Sequence, residues 1–290
     1  MRVKKRWFFI FLSPTVILFL LIYAIPLGVV LGSSLTDYRL MSREVHFTGL
    51  ANYFRMLTDP DFYTALKNTF VWILIHCIAH VALGVFIALL LYKKPKGWKV
   101  IRTAYMVPNI ISNAAMGMIF VNIFNPQFGV LNSILRLIGL EGLTTNWLMN
   151  PLTAFPSVTM TWFLFAGYTA TIVLAQAISI DESMLEAAKV DGANNFQIDC
   201  FIMLPLLKKI IGTTMVMAAT YMLQMFDLIY ITTNGGPGKM TTNLPLLLYG
   251  VYKSEYHYAY ANTIGVCIIV IGAIAMTLIN KSLKVNENDY

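Results

Sequence analysis

Three polar side chains in an apolar stretch near the end of the sequence are candidates for binding chemistry. Tyr221, Gln224 and Asp227 recur at three-residue spacing, so one continuous helix would project Gln224 and Asp227 to the same face. An amide and a carboxylate can hydrogen-bond to paired hydroxyl groups, and an aromatic ring can cover an apolar ring face. The triplet therefore predicts a surface that binds hydroxyl-rich molecules. The alternative is that Asp227 lies at a membrane boundary, where it is solvated or paired structurally.

Other polar residues within apolar segments are weaker candidates for the same surface. Asn109, Asn113 and Trp162 could contact a substrate, but Asn and Trp also join helices and anchor them at membrane interfaces. His76 and His80 lie four residues apart and could place two imidazoles on a metal. The other two histidines lie in predicted outer loops, so packed or hydrogen-bonded helix histidines are favoured and no metal site is predicted.

Motifs for nucleotide binding and catalysis are missing from the sequence. The nearest string to a phosphate-binding loop, GGPGKMT at 235–241, has Thr233 where the first glycine is required. The glycines and proline of this string predict a turn, with docking of an external protein as a further hypothesis. No GxSxG nucleophile elbow occurs. The sequence thus predicts a protein that is not an enzyme and binds no cofactor itself.

The elements that must position these residues are membrane helices. Of 290 residues, 58% are hydrophobic and 12% are charged, which excludes an ordinary soluble domain. The charge-poor windows long enough to cross a bilayer predict an all-α protein with six transmembrane helices. These lie at about 7–33, 68–92, 103–124, 157–178, 208–231 and 262–280.

The distribution of basic residues predicts the orientation of these spans. With the N-terminus inside, the inner segments hold fourteen of the 21 Lys and Arg residues and the outer segments hold seven. Both termini are therefore expected in the cytoplasm. The inner set includes Arg2, Lys4 and Lys284 at the two ends of the chain. No basic stripe with interleaved aromatic residues accompanies the net charge of +7, so nucleic-acid binding is disfavoured.

The predicted cytoplasmic segment between the fourth and fifth spans is too long and too patterned for a simple linker. Ser179 and Asp181 are N-cap residue types before an amphipathic helix at 182–190, and Gly192 ends that helix. A second helix follows at about 194–203, and Leu204-Pro205 is expected to redirect the chain. Two such helices could dock into a soluble protein or lie on lipid. Five acidic residues against one lysine fit an anionic leaflet poorly and favour protein docking.

The string EAAKVDGANNFQIDCFIMLP in this segment is similar to the EAA loop of permease subunits of binding-protein-dependent ABC importers. Four further strings resemble the carbohydrate-uptake branch, of the maltose, lactose and glycerol-phosphate type. They are IRTAYMVPNIIS at 101–112, FNPQFGVLNSIL at 124–135, NWLMNPLTA at 146–154 and TTNGGPGKMTTNLPLLLYGVY at 232–252.

The resemblance implies a type I ABC importer permease fold in a single transmembrane domain, in the bacterial inner membrane. Residues 179–205 would be the coupling loop, and its first helix would sit on an ATPase. The residues that match the coupling motif are Glu186, Ala187, Ala188, Asp191 and Gly192. Glu186 is expected to hold the loop's shape by pairing or capping. Asp181 and Lys208 depart from the family pattern, where proline is frequent.

The same resemblance implies the partners. They are a second related permease, two cytoplasmic ATPases that use ATP and Mg, and an extracellular sugar-binding lipoprotein. The expected substrate is a neutral oligosaccharide, because a phosphate would favour Arg or Lys inside the spans and none is present. A glycerol-phosphate or polyol permease remains an alternative. An ion-coupled secondary transporter would need more intramembrane carboxylates than Asp227 alone. A structural membrane protein would need a wholly apolar cavity.

Overall fold

The computed structural model describes residues 5–283, with side chains from residue 10 onward. Helices form most of this part of the chain, and none of the described residues belongs to a strand; one isolated β-bridge joins Thr36 and Phe47. The all-α prediction is confirmed. Arg2, Lys4 and Lys284, which contributed to the predicted orientation, lie outside the described residues.

The long apolar helices give four to six candidate spans, and they differ in shape from the six predicted ones. Four helices are long and apolar enough to cross a membrane: Ile10–Ser33, Pro60–Tyr92, Ala154–Ile178 and Tyr258–Leu283. Two bent pairs meet the same test, namely Trp98–Ile110 with Asn113–Ile123 and Asn195–Leu206 with Lys208–Gln224. The first pair bends by 105° and the second by 68°. Counting each bent pair as one span gives up to six spans in the described chain.

Two compact units divide the described chain. One comprises residues 5–62 with 247–270, and the other residues 63–246 with 271–283. In the first unit, the helix Ile10–Ser33 has no buried residue in its most apolar window. After this helix, the Asn52 amide donates to the backbone carbonyls of Ser34 and Thr36 at 2.9 and 2.7 Å. This amide fixes the chain where the first long helix ends.

A charged cluster joins the short helix Ala51–Thr58 to the start of Tyr258–Leu283, also within the first unit. Arg55 donates to the Glu255 carboxylate at 2.8 Å and lies over the Tyr260 ring at 4.1 Å. The Tyr260 hydroxyl donates to Asp59 at 2.6 Å. These contacts connect residues about 200 positions apart, and they fix the polar end of the last long helix.

The second unit is a bundle in which small residues allow helices to approach closely. A methyl group added at Gly84 would lie 2.6 Å from the Thr169 side chain. The helices Val81–Tyr92 and Gly167–Ile178 therefore lie too close together at this point for a larger residue than glycine at position 84. Trp72, on the helix Pro60–Ile75, donates to the Thr159 hydroxyl at 2.9 Å and stacks on Phe155. Close backbone approach and buried hydrogen bonds therefore set the bundle geometry.

Three predicted spans of this unit are not continuous helices. The expected span 103–124 bends at Ile111, where a proline-containing 3₁₀ turn, Val107–Ile110, gives way to a new helix capped by Ser112. The expected span 157–178 lies in the long apolar segment Ala154–Ile178, which is interrupted at residues 164–166 between the helices Ala154–Phe163 and Gly167–Ile178. The expected span 208–231 ends at Gln224, because Met225 takes an extended backbone before the separate helix Asp227–Thr232.

The GGPG string forms a hydrogen-bonded turn after Asp227–Thr232, as its composition predicted. The Asn68 amide donates to the carbonyls of Met240 and Thr242 at 2.8 and 2.9 Å. The Thr69 hydroxyl accepts from the Leu244 N–H at 3.0 Å. Buried side chains of the helix Pro60–Ile75 therefore hold the end of this turn in place.

Candidate functional site

Four irregular helix segments of the second unit contribute to one cavity. They are the five-residue π-helix His76–His80, the bend at Ile111, the break after Phe163 and the end of a helix at Gln224. Helices that span membranes break where the freed backbone is buried in protein or lines a cavity. π-helical turns are also frequent at functional sites. The irregularities therefore mark this cavity as the candidate site.

The cavity has a volume of about 510 Å³ and a mixed polar and aromatic lining. Within the described chain, its lining includes neither Asp, Glu, Lys nor Arg, and its titratable side chains are two histidines and two tyrosines. The lining consists of His76, His80, Pro108, Asn109, Ile111, Asn113, Met116, Thr161, Trp162, Phe165, Tyr168, Thr169, Thr214, Val216, Met217, Ala218, Thr220, Tyr221, Gln224 and Leu228. Amide and hydroxyl groups beside aromatic rings suit an uncharged, hydroxyl-rich ligand.

Five of the six residues singled out in the sequence for the substrate pathway line this cavity. Tyr221 donates its hydroxyl hydrogen to the Asn113 side-chain oxygen at 3.0 Å. The other three are Asn109, Trp162 and Gln224. The structure thus brings together residues from three expected spans.

Asp227 is the exception, and its expected placement was wrong. It is exposed and begins the helix Asp227–Thr232, outside the cavity lining. The prediction assumed a continuous helix through Gln224 and Asp227. The extended Met225 separates the two residues into different helices, so helical spacing does not apply between them.

The two histidines also line the cavity, although the sequence predicted them as packed or hydrogen-bonded helix residues and not as part of the substrate pathway. His76 and His80 are 7% and 6% exposed, and both line the cavity. The His76 ring stacks on the Trp162 indole with centroids 4.9 Å apart, and it meets the Tyr221 ring edge-on at 5.5 Å. Their four-residue spacing on an apolar helix was the available signal. Among the described residues, no group of three or more His, Cys, Asp or Glu side chains could hold a metal.

His80 stabilises the break in the fourth expected span. Its Nδ1 atom lies 2.8 Å from the backbone carbonyl of Phe163, the last residue of the helix Ala154–Phe163. A carbonyl only accepts hydrogen bonds, so Nδ1 carries the hydrogen. This bond satisfies a backbone group that the helix end leaves without a helical partner.

The loop after the fourth expected span folds as two short helices, as predicted. The first is Glu182–Val190, with the Asp181 carboxylate accepting from the Ser183 N–H at 3.0 Å. This bond holds the pKa of Asp181 below its ordinary value, since it stabilises the carboxylate. Gly192 follows with a φ of +85°, in the left-handed region that favours glycine.

The second loop helix differs from its prediction at the C-terminal end. It begins with a capping box between Asn194 and Gln197 and runs from Asn195 to Leu206. Leu204 keeps an α-helical backbone before Pro205, and the chain turns at Leu207 instead. Pro205 directly follows the π-helical turn Asp199–Met203, in which the Leu204 N–H bonds to the carbonyl of Asp199, so the regular α-helical hydrogen-bond pattern is already interrupted where proline lacks its N–H.

The loop exposes several of its motif residues. Glu186, Ala187 and Asp191 are exposed, and Ala188 is half-buried. Glu186 forms neither an ion pair nor a hydrogen bond with the described residues, and its expected role in shaping the loop stays a prediction. Asp181 caps the first loop helix, as its residue type predicted, because its side chain accepts from a free N–H group at the helix start. Apolar side chains are also exposed on this surface, including Val190 at 87% and Phe201 at 76%.

A salt bridge connects the loop to the helix that carries the histidines. Lys93, directly after Val81–Tyr92, donates to the carboxylate of Asp199 in the second loop helix. The Asp199 side chain is 19% exposed and the Lys93 side chain 42% exposed. The π-helix His76–His80 and the loop are therefore linked through a single helix of three turns.

Comparison with known proteins identifies the family. The model of the family "Binding-protein-dependent transport system inner membrane component" matches residues 80–284, which include His80, most of the cavity lining and the whole loop. The chain belongs to this family. The resemblance found in the sequence is confirmed, and the protein is a membrane component of a binding-protein-dependent transport system.

Relatives of this permease are similar over nearly its whole length. The probable ABC transporter permease protein YurN of Bacillus subtilis is 32% identical over 97% of this chain and 97% of its own. The multiple sugar-binding transport system permease protein MsmF of Streptococcus mutans is 31% identical over the same shares. Among solved structures, a bacterial alginate ABC transporter has a TM-score of 0.84 at 23% identity and covers 96% of this chain and 94% of its own, which shows the shared fold.

Proposed function

We propose that this permease forms half of the membrane pathway of an ATP-driven importer for a neutral oligosaccharide. The cavity supports this most directly, because its lining offers amides, hydroxyls and aromatic rings and includes no carboxylate, Lys or Arg among the described residues. The names of relatives point the same way: MsmF is a multiple sugar-binding permease, and LacF of Rhizobium radiobacter, 29% identical, is a lactose permease.

An anionic substrate is the second candidate. SmoG of Agrobacterium fabrum, a sulfoquinovosyl glycerol permease, is 30% identical over 94% of this chain. A sulfonate or phosphate favours a cation in its site, and this lining offers only imidazoles. The cavity therefore favours the neutral sugar over the glycerol-phosphate alternative. Family membership disfavours the ion-coupled secondary transporter.

In the proposed topology, six spans cross the membrane and both termini lie in the cytoplasm. The bent pair Trp98–Ile110 with Asn113–Ile123 counts as one span, and the fifth span begins at Lys208, after the loop helix Asn195–Leu206. The basic residue bias supports this orientation, and it puts residues 179–205 on the cytoplasmic side and the GGPG turn on the outer side. The helix Ile10–Ser33 has no buried residue in its most apolar window, which suits contact with lipid or with a second, related permease.

The loop helix Glu182–Val190 is the proposed contact with a cytoplasmic ATPase. Its exposed apolar and small side chains suit docking into a protein cleft. The matching motif residues Glu186, Ala187, Ala188, Asp191 and Gly192 form this contact in the proposal. Two ATPase subunits bind ATP and Mg, and this chain binds no cofactor. An extracellular sugar-binding lipoprotein delivers the substrate, with the GGPG turn as a candidate docking element.

Coupling follows from the connection between loop and cavity. ATP binding draws the two ATPases together, and the loop moves with the subunit that it contacts. Lys93 and Asp199 transmit this motion to the helix Val81–Tyr92, which continues into the π-helix at the cavity wall. The broken helices give the cavity wall points at which it can bend. The cavity then opens alternately to each side of the membrane.

Reconstitution tests this function. The permease, its partner permease, the ATPases and the binding protein are incorporated into liposomes and supplied with maltose, trehalose, lactose, raffinose or glycerol 3-phosphate. Uptake of one or more of the neutral sugars, dependent on ATP and on the binding protein, is expected. Uptake of glycerol 3-phosphate alone would favour the second candidate. ATP-independent uptake would contradict the proposal.

A further inference from the structure

Two buried nitrogen atoms on the cavity wall lack hydrogen-bond partners among the residues that the structure describes. They are Nδ1 of His76 and Nε1 of Trp162. The two side chains are 7% and 5% exposed, and both line the cavity. Other buried polar side chains of this unit are satisfied, as Trp72 shows by donating to Thr159 at 2.9 Å. Both unpaired atoms therefore belong to residues that line the cavity.

The two orphan groups lie on neighbouring rings held from several sides. His76 stacks on Trp162 with centroids 4.9 Å apart and planes 24° apart. His80 meets the His76 ring edge-on at 4.2 Å, and His80 is itself fixed by its bond to the Phe163 carbonyl. Tyr221 packs against His76 on another side. The rings are therefore preorganised, although their two nitrogens make no hydrogen bonds in the described structure.

Leaving a buried polar group unpaired is unfavourable, because the group has lost its hydrogen bonds to water without gaining a partner in the protein. The indole Nε1 only donates, whereas the imidazole Nδ1 donates or accepts according to its tautomer. A hydroxyl group both accepts and donates, so one hydroxyl or two adjacent hydroxyls of a ligand would satisfy both atoms. The aromatic faces around them suit the apolar face of a sugar ring.

The charges around this pair favour an uncharged ligand. The titratable side chains that line the cavity beside His76 and Trp162 are His80, Tyr168 and Tyr221, within the part of the chain that is described. Without a carboxylate, the cavity does not favour a cation, and without Lys or Arg it offers no fixed countercharge to an anion. Hydroxyl recognition is the chemistry that remains.

We propose that His76 and Trp162 form the hydroxyl-binding subsite of this permease, which recognises one or two adjacent hydroxyls of a neutral sugar ring. This inference rests on the proposed function and adds the residues and the ligand groups. Binding satisfies both nitrogens and so stabilises the loaded cavity relative to the empty one.

The test replaces Trp162 by Phe, which keeps an aromatic ring and removes the N–H. The matched control is Trp72→Phe, which removes a buried N–H of the same unit outside the cavity lining. Maltose, trehalose, lactose and raffinose are first compared with the wild-type complex. The probe is the sugar among them that is transported fastest, together with its monodeoxy analogues. Uptake is measured in proteoliposomes at saturating sugar-loaded binding protein.

Wild-type complex is expected to transport one monodeoxy analogue roughly tenfold more slowly than the parent sugar, as for the loss of one hydrogen bond. Trp162→Phe is expected to slow the parent sugar about tenfold and to lose discrimination against that analogue. Trp72→Phe is expected to retain the discrimination. Equal discrimination in wild type and Trp162→Phe would overturn the subsite while leaving the proposed function intact. A wild-type complex that transports none of the sugars would overturn both.

A second pair of variants covers the case in which Trp162→Phe does not assemble. His76→Asn keeps a hydrogen-bonding group near the position of Nδ1, and His76→Leu removes it. The subsite predicts discrimination among the monodeoxy analogues in His76→Asn and its loss in His76→Leu. Equal discrimination in these two variants would overturn the inference.

Discussion

Tyr221 donates its phenol hydrogen to the side-chain oxygen of Asn113, 3.0 Å away. The two residues are 108 positions apart in the sequence. Asn113 begins the helix Asn113–Ile123 beyond the bend in the third expected span, and Tyr221 lies in the last turn of Lys208–Gln224. This bond therefore joins two helix ends at the cavity wall and sets the distance between them.

Removal of either partner is expected to slow sugar uptake by about three- to tenfold, since one hydrogen bond contributes about 1 kcal/mol. Tyr221→Phe and Asn113→Ala remove the same bond, so the double variant should be little worse than either single one. Uptake at saturating loaded binding protein measures the effect, with Tyr92→Phe, outside the cavity lining, as control. Multiplicative effects in the double variant would show that the two residues act independently.

The salt bridge between Lys93 and Asp199 should matter more for coupling than for stability. A half-exposed ion pair contributes at most about 1 kcal/mol, so Lys93→Ala should change the melting temperature little. Because the pair links the loop to the cavity helix, we expect the ATP hydrolysed per sugar imported to at least double. The exchanged pair, Lys93→Asp with Asp199→Lys, should restore the ratio, and Lys96→Ala should not alter it. A ratio unchanged by Lys93→Ala would contradict the link.

Gly192 is expected to tolerate Asn but not Val. Its φ of +85° strains any side chain, while a Cβ atom there would meet no neighbour within 4 Å. Asn adopts left-handed backbone more readily than a β-branched residue does. Co-purification of the ATPases should therefore fall in the order wild type, Gly192→Asn, Gly192→Val. Gly139 has a φ of +79° outside the loop, so Gly139→Val carries similar strain and should keep the ATPases bound.

Asn68 should be important for folding rather than for recognition. Asn68→Ala leaves the carbonyls of Met240 and Thr242 without this donor, which costs about 1–3 kcal/mol. We expect a lower melting temperature for the assembled complex. Asn122→Ala removes an exposed amide bonded only within its own helix and should have little effect. Equal melting temperatures for the two variants would show that the turn does not depend on Asn68.

Much of the fold could be predicted from the sequence because charge-free windows and helix caps are local signals. The loop helix Glu182–Val190 was predicted with its bounds, since Asp181 caps it and Gly192 ends it. The breaks at Ile111, Phe163 and Met225 could not be predicted in this way. The residues on both sides of a break are equally apolar, so composition does not reveal the break. Contacts between distant residues stabilise the breaks, as the hydrogen bond from His80 to the Phe163 carbonyl shows.

The same limit explains the incorrect placement of Asp227. Asp227 was placed beside Gln224 by helical spacing, and the extended Met225 removes that relationship. His76 and His80 are packed or hydrogen-bonded as the sequence predicted, but nothing in the sequence shows that Trp162 stacks on one of them at the cavity. Residues within one continuous helix were related correctly, whereas relationships across a break needed the three-dimensional structure.

Protection of a cavity cysteine by sugar tests most directly that the substrate passes through this cavity. In a background without Cys77, Cys200 and Cys267, Thr220→Cys places a thiol in the lining and Gln127→Cys places one on an exposed loop outside it. Both variants are treated with a charged, water-soluble thiol reagent while the complex hydrolyses ATP. The rate of labelling is compared between samples with and without the transported sugar. We predict that sugar slows labelling of Thr220→Cys and leaves Gln127→Cys unchanged. Labelling of Thr220→Cys at the same rate in both conditions would contradict a sugar pathway through the cavity.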